Sequence, residues 1–326
     1  MDTLLSIKDM RTGFGTSEGM LWSVDAISFD VAHGEILGVV GESGCGKSVT
    51  ALSIMRLFEP NSGARIEGAI AWKGTDLLSL SEERMNDLRG SEIAMIFQDP
   101  LSSLNPVFTV GAQIMEPLML HQNLSRRAAR ARAQDLLRQV GIPAPERRLD
   151  EYPHQLSGGM RQRVMIAISM ACKPRLLIAD EPTTALDVTI QAQILDLITD
   201  LQRGNGMAVM MITHDLGVVS EICNRVIVMY LGEIVEEIPV EMLFTEVRHP
   251  YTIGLMASMP GLSGERQERL TTIPGQVPSL AEKPAGCRFA GRCPWALPGC
   301  VEAHPPLTRI AEGHSVRCFR HAETRQ

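Results

Sequence analysis

The sequence predicts an α/β fold in which helices flank a buried, largely parallel sheet. Short apolar runs rich in Val and Ile recur along the chain without polar alternation, and helical patterns lie between several of them. Strands that are covered on both faces have such runs, because crossover helices bury a parallel sheet. We therefore expect strands at Glu35–Gly41, Glu92–Phe97, Arg175–Asp180, Met207–Thr213 and Arg225–Tyr230.

Helices and a shift in composition complete the predicted organisation. Helical patterns occur at Lys47–Phe58 and Thr189–Arg203. The segment from about residue 99 to 155 has helical patterns interrupted by proline and no clear strands, so it is predicted to be a helical insertion. After residue 240 the chain is rich in proline and cysteine and poor in periodic apolar stretches. We expect a first domain at residues 1–240 and a loop-rich extension at residues 241–326.

Composition narrows the functional classes. The 326 residues are 44% hydrophobic and carry a formal net charge of -7, so the basic footprint of a nucleic-acid-binding protein is missing. The arginines of Ser125–Ala133 recur at helical spacing and indicate one solvated helix face. No apolar run approaches the ~18 residues that span a bilayer, and the N-terminus lacks a signal-peptide pattern. We expect a cytosolic protein that reaches a membrane only through partners.

A glycine-rich stretch, GESGCGKS (Gly41–Ser48, the phosphate loop), lies between a predicted strand and a predicted helix. Spacing and context match the P-loop pattern, in which backbone N–H groups and the helix dipole hold phosphates. We expect Lys47 to bind the β- and γ-phosphates and the Ser48 hydroxyl to bind Mg²⁺. The Cys45 thiol is interpreted as incidental. The other nucleotide contacts are assigned to Gly41, Ser43, Gly44, Cys45, Gly46 and Val49.

A second motif, LLIADEP (Leu176–Pro182), places carboxylates at the C-terminal end of a predicted buried strand. Ligands of open α/β sheets bind at that end. Two adjacent buried acids with no metal nearby would be costly, which favours a catalytic site. We expect Asp180 to hold Mg²⁺ through its water shell and Glu181 to orient or activate the attacking water.

The stretch LSGGMRQR (Leu156–Arg163, the signature segment) connects these motifs to a known family. With the phosphate loop upstream and ADEP downstream, it resembles the signature of ABC-transporter ATPase subunits. FQDP lies between the phosphate loop and the signature segment, TTALD and ITHD follow ADEP, and this order matches the family; the resemblance covers roughly residues 4–240. It implies a P-loop NTPase (RecA-like) core with a helical subdomain and hydrolysis of ATP to ADP and phosphate.

The resemblance also implies contacts between two ATPase subunits. Ser157, Gly158 and Gly159 should open a helix that faces the γ-phosphate of ATP held by the other subunit. Met160 stands where Gln is usual, which makes it a poor polar contact but leaves the Ser-Gly-Gly unit intact. Asp187 should lie at the dimer seam.

The implied catalytic set is complete. Gln98 should sense Mg²⁺ and water, and His214 should contact the γ-phosphate and help to position the water. With Lys47 and Glu181 they supply every expected catalytic side chain, so a subunit that binds ATP without hydrolysis is disfavoured. The family also places an aromatic ring against adenine, for which Phe14 is the first choice and Trp22 the second.

The tail narrows the branch of the family. RHPYT (Arg248–Thr252), then IPGQVPSL and a cysteine cluster, resemble the C-terminal extension of dipeptide and oligopeptide importer ATPases. That branch implies two membrane permeases, a second homologous ATPase and an extracytoplasmic peptide-binding protein, with this chain on the cytoplasmic face of the membrane. The alternatives are an ATPase of a nickel or other small-solute importer, or a soluble ABC ATPase that acts on DNA or ribosomes. The acidic balance and single cassette disfavour the soluble class.

A Met-rich apolar stretch, VFTVGAQIMEPLML (Val107–Leu120), lies in the predicted helical insertion. Core packing explains much of its composition. The family pattern implies a groove here that receives a coupling helix of the permease, with Met115 and Leu118 in it.

Four cysteines cluster in the tail: Cys287, Cys293, Cys300 and Cys318. Disulfides are disfavoured in a reducing cytosol, and four unconnected thiols would need a core that the tail lacks. A zinc site suits a small loop-rich segment, although the short C-x-x-C knuckle is absent. The remaining reading is a cluster held by four thiolates. The peptide-importer resemblance implies a [4Fe–4S] cluster on these four positions, whereas Cys172 and Cys223 are interpreted as core residues.

Overall fold

The computed structural model describes residues 2–17, 19–99, 103–184, 186–259 and 272–324. The described residues form two compact units. The first unit takes in Met1–Asp2, Ala32–Glu35 and Ser79–Ile212, and the second takes in Thr3–Val31, Ile36–Leu78 and Thr213–Gln326. The predicted domain boundary at residue 240 stays a prediction.

The strands and helices are numbered along the chain. The strands are β1 (Thr3–Thr16), β2 (Gly19–Ala32), β3 (Ile36–Val40), β4 (Ala64–Trp72), β5 (Thr75–Asp76), β6 (Ile93–Ile96), β7 (Leu176–Asp180), β8 (Ala208–Thr213), β9 (Arg225–Tyr230), β10 (Glu233–Pro239), β11 (Thr308–Ala311) and β12 (His314–Val316). The α-helices are α1 (Lys47–Met55), α2 (Glu82–Leu88), α3 (Val110–Gln122), α4 (Arg126–Gln139), α5 (Pro145–Arg148), α6 (Gly158–Ser169), α7 (Val188–Asn205), α8 (Leu216–Ile222), α9 (Pro250–Ala257) and α10 (Pro298–Glu302). Short 3₁₀ turns occur at Leu77–Ser79, Pro153–Gln155, Val240–Met242, Leu280–Glu282 and Ala290–Arg292.

The first unit contains parallel strands that carry catalytic candidates at their ends. β7 lies between β6 and β8, and Leu177 pairs with Ala94 on one side and with Val209 on the other. Every residue of β7 is buried, as its unbroken apolar run predicted. The strands predicted at Glu92–Phe97, Arg175–Asp180 and Met207–Thr213 are confirmed within a residue of their bounds.

The described residues of the predicted helical insertion, about residues 99–155, contain three α-helices, whereas its extent as a subdomain stays a prediction. α3 begins after Thr109, whose hydroxyl accepts the N–H of Ala112 at 3.2 Å, and it carries Pro117 in its interior. α4 holds the arginine-rich stretch, and Arg130 forms a bidentate ion pair with Asp150 at 2.9 and 2.7 Å. That exposed pair fits the predicted solvated helix face. None of the described helices is long and apolar enough to cross a membrane.

The second unit combines a parallel strand pair with antiparallel strands. β3 pairs with β9 in parallel, and β9, β10, β12 and β11 follow one another antiparallel. β1, β2, β4 and β5 form a separate sheet, in the order β2-β1-β4-β5. These strands are half-buried, so their apolar positions alternate with polar ones, as Ile27, Phe29 and Val31 do with Ser28 and Asp30. That period-2 alternation was the available sequence signal for them.

Two predicted helices have slightly different bounds in the structure. The helix expected at Lys47–Phe58 ends at Met55, because Arg56 adopts a left-handed backbone conformation (φ 51°) that closes it. The helix expected at Thr189–Arg203 extends by one residue at its start and two at its end. Both remain in the predicted places after a strand or a loop of the α/β core, and the predicted fold class is confirmed.

Candidate functional site

The phosphate loop has a backbone that requires glycine at two positions. Gly41 has φ 152° and Gly46 has φ 105°. A Cβ atom at Gly41 would lie 2.2 Å from the carbonyl oxygen of Met229, and one at Gly46 would lie 2.7 Å from that of Ser23. Any side chain would therefore displace the neighbouring backbone. The loop is built against fixed carbonyl groups, which keeps its shape constant.

The phosphate loop curls around the ammonium group of Lys47. This buried Nζ donates to the carbonyl oxygens of Gly41 at 2.7 Å and Glu42 at 3.2 Å. The N–H of Cys45 donates to the same Glu42 oxygen at 3.2 Å. Burial raises the pKa of the Cys45 thiol, so it stays neutral. Ser48 is half-buried in the first turn of α1, where the helix N-terminus favours anions.

The rest of the loop is open or half-open to solvent. Ser43 and Gly44 are exposed, and Val49, which follows the loop in α1, is half-buried. A Cβ atom at Gly44 would meet nothing within 4 Å. The loop therefore presents backbone to solvent on one side and packs against the protein on the other.

The end of β7 brings together two residues that the sequence predicted separately. Glu181 Oε2 accepts a hydrogen bond from Gln98 Nε2 at 2.9 Å and another from the Thr184 hydroxyl at 2.8 Å. Glu181 has φ 46°, an uncommon conformation for this residue, and its N–H donates to the Ile212 carbonyl at 2.9 Å. Strained backbone of this kind concentrates at functional sites. Asp180, the preceding residue, is buried.

The signature segment caps its own helix. The Ser157 hydroxyl accepts the N–H of Met160 at 3.4 Å at the start of α6, and Gly158 is exposed. A Cβ atom at Gly159 would lie 3.1 Å from Ile190 Cγ2, so the glycine allows close packing against α7. Gln162 is buried and donates to the Pro182 carbonyl at 2.5 Å, which ties α6 to the segment after β7. The result is an exposed helix N-terminus of the kind that binds anions.

Asp187 and His214 both lie next to helix starts. Asp187 is exposed and caps α7 by accepting the Ile190 N–H at 2.9 Å. His214 is exposed and follows β8 directly. The next residue, Asp215, caps α8 through the N–H of Gly217 at 2.8 Å. Both predicted residues are accessible, and their roles stay predictions.

The two candidates for the adenine ring occupy different surroundings. Phe14 meets Phe58 edge to face, with ring centroids 5.6 Å apart. The Arg11 guanidinium lies over the Trp22 ring, 4.1 Å from its centroid. Both rings are half-buried, so the choice of Phe14 stays a prediction.

The four tail cysteines line one cavity. Cys287, Cys293, Cys300 and Cys318 share a cavity of about 20 Å³ with Phe289, Trp295 and other residues. Burial, together with the neighbouring thiols, raises the pKa of Cys287 to about 12 and that of Cys318 to about 11. The N–H of Arg320 donates to Cys318 Sγ at 3.4 Å. Within the described ranges, no three His, Cys, Asp or Glu side chains are grouped closely enough to hold a metal ion.

The Met-rich stretch forms a groove on the first unit. The groove has a volume of about 550 Å³ and is lined by Phe108, Met115, Met119 and Leu120 among others. Phe108, Met119 and Leu120 are exposed apolar side chains, which is unusual for a cluster that faces only water. Leu118 is fully buried and does not line the groove, so it belongs to the core of the helical region.

Three residues that the sequence did not single out join the phosphate loop to the C-terminal extension. Glu42, inside the loop, forms a bidentate ion pair with Arg292 and donates its N–H to the Tyr251 hydroxyl at 2.8 Å. Arg292 and Tyr251 both come from the extension. Their motifs were visible in the sequence, as RHPYT and the arginine before Cys293, but no local pattern pairs residues 250 positions apart.

Comparisons with known families match two parts of the chain. The ABC transporter family matches residues 24–184. The oligopeptide/dipeptide transporter C-terminal region matches residues 235–300, which include three of the four clustered cysteines.

Curated relatives match nearly the whole chain. A probable peptide ABC transporter ATP-binding protein of Sinorhizobium fredii is 55% identical over 322 residues, covering 99% of this chain and 96% of the relative. A putative peptide import ATP-binding protein of Brucella ovis is 52% identical and covers 98% of both chains. The oligopeptide transport ATP-binding protein AppD of Bacillus subtilis is 50% identical, covering 99% of this chain and 98% of the relative.

Among solved structures, the fold is similar to that of dimeric ATP-binding cassettes. One, in a post-hydrolysis state bound to ADP and Pi, has a TM-score of 0.65 at 28% identity and covers 72% of this chain and 98% of its own. A bacterial ABC transporter cassette, also dimeric, gives the same values.

Proposed function

The chain belongs to the ABC transporter family, and we propose that it hydrolyses ATP to ADP and phosphate to power the import of di- and oligopeptides. One observation carries this proposal. The ABC transporter match and the oligopeptide/dipeptide C-terminal match lie on the same chain, and peptide-import relatives align with it from end to end. The cassette supplies the energy, and the C-terminal region is the part that peptide importers add.

The phosphate loop would bind the nucleotide. Its backbone N–H groups and the N-terminus of α1 suit a polyphosphate, and Lys47 would move from its carbonyl partners to the β- and γ-phosphates. Ser48 would bind Mg²⁺ through its hydroxyl, and Asp180 would bind Mg²⁺ through water. Catalysis would then depend mainly on positioning and on the stabilisation of charge.

Glu181 would orient and activate the attacking water. Its hydrogen bond with Gln98 holds the carboxylate in place. The left-handed backbone at Glu181 sets the direction in which the side chain leaves the main chain. His214 would contact the γ-phosphate. The exposed N-terminus of α6, with Ser157, Gly158 and Gly159, would meet the γ-phosphate of ATP bound by the second ATPase, and Asp187 would lie at that seam.

The peptide-importer branch of the family suggests which proteins this chain assembles with. Two membrane permeases, a second homologous ATPase and an extracytoplasmic peptide-binding protein would complete the transporter. The chain would act at the cytoplasmic face of the membrane, attached through the permeases. The groove lined by Met115, Met119 and Leu120 would receive a helix of a permease, because its exposed apolar side chains need a partner.

A matched pair of substitutions tests the groove. Leu120 lines it and Val107 does not, and their side chains are 69% and 71% exposed. Leu120→Asp should abolish peptide uptake by the assembled complex while the ATPase activity of the isolated chain persists. Val107→Asp should leave both intact. Normal uptake by an assembled Leu120→Asp transporter would remove the groove from the proposal.

The four tail cysteines would hold a [4Fe–4S] cluster. They line one cavity, and the backbone N–H of Arg320 donates to Cys318 Sγ, a kind of hydrogen bond that orients and tunes thiolates at metal sites. The raised pKa values of Cys287 and Cys318 mean that a bound cation must displace their protons. A cluster supplies a rigid cross-link for a segment with little core of its own, and it can carry an electron.

Zinc is the alternative occupant. Four sulfurs around one zinc lie about 3.8 Å apart, because each is about 2.3 Å from the metal. In a cluster each thiolate binds a different iron, so its sulfurs are spread more widely. Both occupants would use the four sulfurs that line the cavity, and the metal content of the purified protein distinguishes them. Protein purified without oxygen should be brown and contain iron, whereas colourless protein with one zinc per chain would exclude the cluster.

The transported solute requires its own test. ATP hydrolysis by the assembled transporter should rise when the binding protein carries a dipeptide or an oligopeptide. When nickel carried by a nickel-binding protein replaces the peptide-loaded binding protein, the rate of ATP hydrolysis should not rise. Stimulation by nickel and not by any peptide would replace the peptide importer with a metal importer.

A further inference from the structure

A glutamate within the phosphate loop is held by the C-terminal extension. Arg292 donates two parallel hydrogen bonds to Glu42, at 2.6 Å to Oε2 and 3.0 Å to Oε1. Arg292 is 8% exposed, and its Nε donates to the Pro274 carbonyl at 3.0 Å. A planar guanidinium with all these contacts is fixed in orientation. Arg292 immediately precedes Cys293, so the ion pair joins the phosphate loop to the cysteine cavity.

The backbone of the same glutamate has a second partner from the extension. The Glu42 N–H donates to the Tyr251 hydroxyl at 2.8 Å. Tyr251 is fully buried against Tyr230 and Phe289, with ring centroids 4.7 and 5.4 Å away. Burial strongly raises the pKa of its hydroxyl, so the group stays neutral and accepts the bond. Glu42 is thus gripped at its side chain and at its backbone.

The charge of Glu42 creates a problem for nucleotide binding. Its carbonyl oxygen accepts a bond from Lys47 Nζ at 3.2 Å, so its carboxylate belongs to the segment that would surround the phosphates. An unpaired carboxylate there would repel a polyphosphate, and the repulsion is strong where the site is partly shielded from water. The bidentate contact with Arg292 cancels that charge.

We propose that Arg292 is a positioning residue for ATP, which neutralises Glu42 and fixes the phosphate loop from the C-terminal extension. This inference rests on the proposed ATPase function. It makes the extension a part of the nucleotide site in addition to any role of its cysteines. A purely structural ion pair would stabilise the fold without changing the affinity for nucleotide.

Equilibrium binding of a fluorescent ATP analogue with Mg²⁺ to the full chain separates these two roles. Arg292→Gln should raise the Kd about 10-fold, because it leaves the Glu42 carboxylate unpaired beside the phosphates. The double variant Arg292→Gln/Glu42→Gln should return the Kd to within about threefold of the unaltered chain, since the charge has gone. The control Arg309→Gln, on the exposed strand β11 of the same extension, should leave the Kd unchanged.

Steady-state kinetics also distinguish a positioning role of Arg292 from a purely structural one. In the assembled transporter, Arg292→Gln should raise the KM for ATP and change kcat by less than about twofold, because it alters binding more than the transition state. Thermal unfolding of each variant shows whether it is folded. If Arg292→Gln alone fails to fold, the Glu42→Gln chain replaces it and should bind about threefold more tightly, because Arg292 is then an uncompensated positive charge.

Three results would overturn the inference. They are an unchanged Kd in folded Arg292→Gln, equal weakening in the single and double variants, and weaker binding by Glu42→Gln. A different result would contradict the proposed function: the unaltered chain would not bind the ATP analogue at all.

Discussion

The phosphate loop and the cysteine segment (residues 286–318) are both loop-borne sites of the second unit, yet they are built by different means. The phosphate loop is eight contiguous residues whose backbone makes the site, and glycines at positive φ give it shape. The cysteine segment gathers four side chains from positions spread over more than thirty residues. Its shape depends on distant side-chain contacts, such as Arg288 with Asp25 and with the Leu231 carbonyl. A site made by the backbone is sensitive to substitution at the few positions that need glycine. A site made by side chains depends instead on many separate contacts.

A pair of glycine substitutions tests the first half of this contrast with the largest expected effect. Gly41→Ala would place a Cβ atom 2.2 Å from the Met229 carbonyl oxygen, whereas Gly44→Ala meets nothing within 4 Å. Both positions have positive φ, so both are strained. The free energy of unfolding should fall by about 4 kcal/mol for Gly41→Ala and by about 1 kcal/mol for Gly44→Ala. Denaturant titration measures both, and equal losses would mean that the loop is not held by its neighbours.

Removal of one proposed cluster ligand tests the other half of the contrast, that the cysteine segment depends on its side chains. Cys287→Ser should lose the bound iron and lower the free energy of unfolding by about 3 kcal/mol, because metal binding contributes to the stability of a segment with little core. Cys172→Ser is the matched control, since Cys172 is not among the residues that line the cavity and the variant should keep the iron. Iron analysis and thermal unfolding measure the outcome. Full iron content in Cys287→Ser would exclude this cysteine as a ligand.

A smaller effect concerns acid stability next to the cysteine cavity. Burial lowers the pKa of His249 from 6.5 to about 3, and its Nδ1 accepts the N–H of Tyr251 at 3.1 Å. The unfolded chain therefore binds a proton between pH 6.5 and 3 that the folded chain does not, so stability is present above pH 6.5 and falls as the pH falls. From about pH 7 to about pH 5 this amounts to about 2 kcal/mol.

His249→Asn should remove that loss while keeping a side chain able to cap α9. The exposed His33→Asn serves as the control and should retain the full acid dependence. Denaturant titrations at the two pH values give the difference. If the free energy of unfolding fell equally between the two pH values in His249→Asn and in the unaltered chain, His249 would be ruled out as the source of the acid dependence.

The two regions also differ in how far sequence alone could predict them. The strand that ends at Val40, the glycines and Lys47 are contiguous, so the phosphate loop was predicted with its neighbouring elements. The five buried strands were found for the same reason, since an unbroken apolar run is a local signal. The half-buried strands β1, β2 and β4 have a weaker alternating signal and were not predicted.

Long-range pairs were beyond the reach of local patterns. Nothing near Glu42 indicates Arg292, because the fold alone brings them together. Gln98 and Glu181 were predicted separately, and nothing in the sequence indicated the hydrogen bond between them or the left-handed backbone at Glu181, which is a non-glycine residue. The same limit applies to the groove. The apolar stretch could be recognised in the sequence, but the sequence did not indicate that Leu118 is buried.

The central claim is that this chain converts ATP hydrolysis into peptide import, and uptake by the reconstituted transporter tests it most directly. Proteoliposomes that contain the complete complex and its binding protein should accumulate a labelled dipeptide only with ATP. Glu181→Gln should bind ATP but lower hydrolysis and uptake together by about 100-fold or more, because the residue that orients the water is lost. Glu221→Gln, an exposed glutamate of α8, should leave both rates unchanged. Peptide accumulation that continues in the Glu181→Gln transporter, or ATP hydrolysis with no peptide uptake in the unaltered one, would contradict the account.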